Sequence, residues 1–223
     1  MDAFAEEFLN WEVMVRYFPD IVSGLWVTMY LALMVIVTGL ILGLLLAVIR
    51  AFQIRPINLL IITFVDIFRS LPPLVIIILF YFSIPMFGLH WSGFICSWIA
   101  LSLVLASFVE EIYWAGITSV HRGQWEAARS TGLNFFETLI NVVLPQVIRM
   151  TIPPLTNRTI VIAKNTALAS VVAVEEMLTV AQTSLAYAAN SSPLTLAALG
   201  YLLMFLPLVI LSRFIETRFA WKR

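Results

Sequence analysis

The chain has 223 residues, of which 61% are hydrophobic and only 12% charged, and its formal net charge is zero. Soluble domains carry about 25% charged residues, so the composition is that of an integral membrane protein, and a balanced charge offers no footing for nucleic acid. The single cysteine, Cys96, excludes an internal disulfide and every multi-cysteine metal motif, and its apolar surroundings imply packing.

In chain order, residues 1–20 form an acidic external segment, with Asp2, Glu6, Glu7, Glu12 and Asp20 against Arg16. It lacks the positive start and small-residue end of a cleavable signal peptide. A helix needs about 20 apolar residues to cross a bilayer, and five stretches qualify: 21–49, 57–82, 94–117, 146–174 and 193–215. The first has no charge. The second holds Asp66, Arg69 and Pro72-Pro73, the third ends in Glu110 and Glu111, and the fourth contains Pro153-Pro154, which are expected to break it.

Lys and Arg concentrate in cytoplasmic connections. Arg50 and Arg55 follow the first span, and Arg122 and Arg129 follow the third. Residues 84–93 and 175–192 have neither, although the latter include Glu175 and Glu176. Arg213, Arg218, Lys222 and Arg223 end the chain. The expected fold is therefore all-α and polytopic, with five transmembrane helices, the N-terminus outside and the C-terminus cytoplasmic. A membrane domain over 21–218 is followed by a cytoplasmic tail, 219–223. An odd number of spans without an internal repeat counts against the repeat-built secondary carriers. So short a chain calls for a second subunit to complete a pathway.

One polar interruption, 122–146, falls on the cytoplasmic side. Residues 124–131 read as a short helix, with Glu126 in its first turn and Arg129 near its end as an i,i+3 pair. Gly132 suits a left-handed stop. Asn134 can cap a second helix, with Glu137 completing a capping box, and Pro145 is expected to end it. Helices this short are marginal alone, so Trp125, Ala128, Phe136, Leu139, Ile140 and Val143 must pack on something. Their own bundle and a cytoplasmic partner both satisfy that requirement.

Glu126-Ala127-Ala128, then Gly132, then Val142-Val143-Leu144-Pro145 resembles the EAA motif of binding-protein-dependent ABC importer permeases, with Val where Ile is usual. Three further stretches, 68–75 (FRSLPPLV), 111–128 (EIYWAGITSVHRGQWEAA) and 153–170 (PPLTNRTIVIAKNTALAS), resemble the polar amino-acid branch of histidine, glutamine and glutamate systems. The likeness covers roughly 20–220. Trp114 stands for the usual Arg, Ile76 for a common Gln, Arg158 for Glu or Gln, and Asn165 and Ala167 for Asp and Ser. These departures bear on the substrate rather than the family.

The resemblance implies a type I importer permease in the inner membrane, multi-pass and in contact with lipid, with coupling helices at about 122–144. Gly123, Glu126, Ala127, Ala128, Gly132, Leu144 and Pro145 would meet the ATPase. Its implied partners are two ATP-binding subunits, a second permease, an external substrate-binding protein and a polar amino acid. The chain has no G-x-x-x-x-G-K-[ST] loop, so it is expected to be a transporter subunit rather than an enzyme, with no cofactor of its own and ATP bound by the partner.

Ionisable residues at membrane depth are candidate functional groups. Arg69 can pair with Asp66 one turn away or bind a substrate carboxylate. Glu110 and Glu111 point about 100° apart on a helix, so they do not share a face. Both could be solvated, and Glu111 is the pathway candidate. Asn157, Arg158 and Lys164 are the candidates on the fourth span. Arg158 offers a donor fork for a carboxylate, favouring acidic or amide substrates, or it pairs with Asp66, Glu111 or another subunit. His90 and His121 stand apart, so a metal site is not expected. A secondary carrier or channel for small polar solutes leaves 122–146 without a role. An intramembrane enzyme lacks a motif.

Overall fold

The computed structural model describes residues 2–219; Lys222, Arg223 and nearly all of the expected tail lie outside them, and the Arg218 side chain is not described. The described secondary structure is entirely helical. Its elements are α1 (Asp2–Phe8), α2 (Trp11–Ala51), α3 (Arg55–Ser70), α4 (Pro73–Ser83), α5 (Gly93–Ser119), α6 (Arg122–Ser130), α7 (Phe135–Thr138), α8 (Leu144–Lys164), α9 (Met177–Ala188) and α10 (Ser192–Phe219). Four helical stretches are long and apolar enough to cross a membrane, or five if the broken pair Arg55–Ser70 and Pro73–Phe87 makes one span.

Three boundaries differ from the sequence reading. The first helix of the bundle starts well before residue 21. Asn10 opens α2 by accepting from Val13 N at 3.2 Å, and the acidic stretch ahead of it contains no helix breaker before Pro19. The second span breaks at Leu71, whose extended backbone is what a residue before proline prefers. The fourth does not break at Pro153-Pro154, which lie inside α8. Proline already has a helical φ, and the turns on its N-terminal side are held by packing: a Cβ on Gly116 would lie 2.7 Å from Val147 and 3.0 Å from Thr151. The change comes later, where Asn165–Val172 tightens into a 3₁₀ helix.

The chain divides into two compact units. The first comprises 1–36, 72–102 and 160–209. Its core gathers Ile21, Met177, Ala181 and Ala197, with a second cluster of Ala32, Ala163 and Phe205. Met177 is wholly buried because Gly24 and Gly200 leave room for it; Cβ atoms there would approach it to 2.8 and 2.7 Å. Beside it Glu176, also fully buried, caps α9 by accepting from Thr179 N at 2.8 Å and from Tyr201 Oη at 2.7 Å. The N-terminal segment is tied to the α9–α10 turn. Asn190 Nδ2 donates to Glu6 O at 2.9 Å, Ser191 Oγ to Glu7 Oε1 at 2.6 Å, and Asn10 N to Ser192 Oγ at 2.9 Å.

The second unit comprises 37–71, 103–159 and 210–223. Here α2 and α5 touch closely, since Cβ atoms on Gly39 and Gly43 would sit 2.7 Å from Leu105 and 2.5 Å from Val109. Leu105, Val109, Leu139, Val143 and Val147 are buried. All of 122–146 belongs to this unit.

Candidate functional site

The polar interruption forms a helix–turn–helix. In α6 the first free N–H groups are met by His121, whose Nδ1 accepts from Gly123 N at 3.0 Å. The helix therefore begins two residues before the expected start, and Glu126 lies beyond its first turn. That shift changes the ion pair. Arg122 Nε donates to Glu126 Oε1 at 2.8 Å as an i,i+4 pair, in place of the expected Glu126–Arg129. Gly132 takes the left-handed conformation, φ +96°, that the turn requires. The capping box is present: Asn134 Oδ1 accepts from Glu137 N and Glu137 Oε2 from Asn134 N, each at 2.9 Å.

Pro145 does not end the second piece. After α7 the chain widens into a π-helical turn, Leu139–Val143, and continues straight into α8, with Pro145 as its second residue. The wide turn lets Leu144 N reach Leu139 O, and Gln146 Nε2 donates to Val142 O at 2.7 Å. These bonds bypass the α-helical one that proline cannot make.

The open question of what these helices pack on is answered in part by their own bundle. Phe52, just beyond α2, meets Phe135 at 5.4 Å and Phe136 at 6.2 Å between centroids, and Trp125 stacks on Phe135 at 5.4 Å. Ala128 is buried, whereas Glu126 and Ala127 are exposed and Phe136 is half exposed. A cavity of about 300 Å³ opens among Trp114, Ile117, Trp125 and Phe135.

The second unit also holds a cluster of charges. Arg50 Nη1 lies 2.9 and 3.1 Å from the two Glu110 oxygens, and its guanidinium sits 4.5 Å over the Trp114 ring. Glu110, which could have been solvated, is fully buried. Arg69 pairs with Glu111 and not with Asp66, which is exposed. Reaching α5 lets the guanidinium lie 5.4 Å from the Phe108 ring, where a pair with Asp66 would hold it along its own helix. Arg158 packs on the same ring, 3.0 Å from the centroid, and among the described residues it forms no ion pair; its Nε is buried without a hydrogen-bond partner.

Asn157 is occupied elsewhere: its Nδ2 donates to Glu216 Oε1 at 2.6 Å and its Oδ1 accepts from Ser212 Oγ at 3.0 Å, tying α8 to α10. Lys164, in the first unit, lies 5.9 Å from the Phe205 ring. The structure thus brings Arg69, Glu111 and Arg158 together and holds Asn157 in a separate helix contact. Sequence reasoning missed Phe108, Phe52 and Glu216. Phe108 had a signal: it precedes Glu111 by three residues and so shares its helix face.

Fold and geometry together define a polytopic helical membrane protein with a capped helix–turn–helix and charges held within its helices. Residues 39–221 match the binding-protein-dependent transport system inner membrane component, and the chain belongs to that family. It is 32% identical over 216 residues to the probable glutamine ABC transporter permease protein GlnM of Bacillus subtilis, covering 94% of this chain and 98% of that one. It is 35% identical over 175 residues to the L-cystine transport system permease protein TcyB of the same organism, covering 78% and 75%. A crystal structure of an amino acid ABC transporter with histidines superposes with a TM-score of 0.85 at 31% identity, covering 94% of this chain and 98% of that one. The chain is a multi-pass inner-membrane permease, and ATP hydrolysis belongs to a separate subunit. Family membership implies ATP-binding subunits, a partner permease and a substrate-binding protein.

Proposed function

We propose that this permease imports a polar amino acid, acidic or amide in type, by ATP-driven alternating access, with its N-terminus outside and its C-terminus cytoplasmic. Relatives named for glutamine and for L-cystine support the amino-acid class. The observation that carries the finer reading is Phe108, on which two guanidiniums converge while one acid, Glu111, answers only Arg69. The surplus cation is Arg158, with a partly unsatisfied donor fork. Such a fork recognises a carboxylate in two parallel bonds, and its positive field disfavours a cationic side chain. In this reading Arg69 and Glu111 fix the platform. Asn157 positions α8 through Glu216, and Lys164 is a further cation of the pathway.

Two ATP-binding subunits move the 122–144 element. Glu126 makes a polar contact with the ATPase and the exposed Ala127 allows close approach, while Ala128, expected to share that role, is buried and packs α6 on its own bundle. Gly123 and Gly132 shape the ends of α6, and Leu144-Pro145 join the element to α8. The capping box and the continuous passage into α8 make it a lever that carries displacement into the membrane. ATP binding closes the ATPase pair and turns the permease pair outward. Arg158→Glu, reconstituted with its partners in proteoliposomes, is expected to shift uptake from aspartate towards arginine. An unchanged preference removes Arg158 from the substrate site.

A further inference from the structure

The joint between the 122–144 element and α8 is the π turn Leu139–Val143 rather than a continuation of the α-helix. Such turns are rare and concentrate at functional sites. The register of this one matters at both of its ends. Leu139, Val143, Val147 and Thr151 follow one another at steps of four, and all are buried. One face therefore runs unbroken from the turn into α8, and Val147 and Thr151 close on Gly116 of α5. Ile140, Asn141 and Pro145 are exposed. An α-helical turn closes with one residue fewer, and one residue of α-helix is about 100° of rotation. Relaxing the π turn to α geometry would therefore swing α7, and α6 with it, by about 100° about the α8 axis. The buried face would no longer be continuous.

Two consecutive residues oppose that change. Pro145 has no N–H, so an α register would gain no bond to Asn141 O. Leu144 N meanwhile passes over Ile140 O and bonds Leu139 O. Pro145 thus permits the wide turn without selecting it. The selecting bond comes from a side chain: Gln146 Nε2 donates to Val142 O at 2.7 Å, across the open turn. Gln146 is half-buried, where a hydrogen bond is electrostatically stronger than in water. Thr138, which enters the turn from α7, supplies no second brace, because its buried Oγ1 has no hydrogen-bond partner.

We propose that Gln146 is a positioning residue for transport. By bonding Val142 O it locks the π turn in register, so that displacement of the 122–144 element enters α8 as a rigid movement and is not absorbed at the joint. The inference rests on the lever reading of that element. It gives Gln146 no contact with substrate or ATPase. What Gln146 sets is how much movement reaches the membrane for each ATP hydrolysed.

The test measures uptake and hydrolysis together, in proteoliposomes holding the assembled importer and its substrate-binding protein. The probe is labelled aspartate, glutamate, asparagine or glutamine, whichever most stimulates hydrolysis. Gln146→Leu keeps the volume and removes the donor. Its substrate imported per ATP is expected to fall about fivefold, the factor one hydrogen bond contributes to a two-state equilibrium. The co-purifying ATPase subunit and the binding-protein concentration for half-maximal stimulation stay at wild-type values. Gln146→Lys, which restores a donor, recovers at least half of the loss. Unchanged uptake per ATP in Gln146→Leu, or an equal loss in Gln146→Lys, overturns the proposal, as does a loss traced to missing ATPase subunit. If Gln146→Leu does not assemble, Gln146→Glu carries the same arm, since a carboxylate of the same outline cannot donate.

Spin labels in place of Arg129 and Ile148, exposed positions on α6 and α8, read the joint directly. Their single distance is expected to broaden or split in Gln146→Leu, and a narrow, unshifted distribution overturns the lock. Wild-type complex in which ATP drives no uptake overturns the importer reading and the role of Gln146 with it. Coupled wild type with equally coupled variants overturns the role of Gln146 alone.

Discussion

Among the described residues two carboxylates, Glu110 and Glu176, are fully buried, and they are stabilised in opposite ways. Glu110, in the second unit, depends on one cation: Arg50 reaches both of its oxygens, at 2.9 and 3.1 Å. Glu176, in the first, has no cation among the described residues that bond it. Tyr201 Oη and Thr179 N donate to it at 2.7 and 2.8 Å, Thr179 Oγ1 at 3.2 Å and Thr28 Oγ1 at 3.5 Å, and it sits on the N-terminus of α9, where the helix dipole favours negative charge. One charge is balanced by a single opposite charge, the other by several neutral dipoles. The comparison teaches that burial alone does not set how fragile a carboxylate is; what is left behind when it goes does.

Glu110→Ala is the harshest test of that contrast. It strands Arg50, 16% exposed, against Trp114 without a counter-charge. Breaking a buried pair from one side costs about 3–5 kcal/mol, and at about 2–4 °C per kcal/mol the purified complex should melt roughly 6–20 °C lower. Removing both charges in Arg50→Met, Glu110→Leu should restore more than half of the loss. A double variant as unstable as the sum of the singles would mean that the two side chains are not coupled.

Glu176→Ala should cost less, about 1–3 kcal/mol, because it removes a helix cap and leaves neutral donors unmet. Glu176→Gln keeps an oxygen in place and should melt within a few degrees of the wild type. If Gln proves as damaging as Ala, then charge, and not the acceptor, is what the site requires. Tyr201→Phe deletes one hydrogen bond between helices, worth about 0.6 kcal/mol on average in membrane proteins, so its shift should be the smallest of this site's.

Neither carboxylate could be read correctly from the chain alone, and the reason is geometric. A helix of known period tells which residues share its face, so Glu110 and Glu111 were separable and the capping box of Asn134 and Glu137 was legible in full. It does not tell which face meets which neighbour. Arg50 looked like a cytoplasmic turn charge, and Glu176 like part of an external loop, because their partners are 60 and 25 residues away. The same gap hid the exchange of Asp66 for Glu111 as the partner of Arg69, and Phe108 as the platform beneath two arginines. The spans were legible because apolar length is a local property. The break at Leu71 follows from the proline after it, a local cause, whereas the integrity of α8 through Pro153-Pro154 was decided by what the preceding turns pack against.

The Arg122–Glu126 pair takes the comparison to its weak end. It has the same chemistry as Arg50–Glu110 and a similar length, 2.8 against 2.9 Å, but its side chains are 90% and 63% exposed. Water and salt screen such a pair, and exposed i,i+4 pairs contribute about 0.3–0.5 kcal/mol. Arg122→Ala should therefore leave the melting temperature within about 2 °C of the wild type. That near-silence makes α6 usable for a functional experiment, because a loss there cannot be blamed on unfolding. In the proposed assembly, Glu126→Lys should reduce the ATPase subunit that co-purifies with the permease, at unchanged melting temperature, whereas Arg122→Ala should retain it. Equal retention in both would mean that Glu126 serves only its neighbour Arg122, and that the ATPase is gripped by the exposed apolar side of the element, at Phe136 and Ile140, instead.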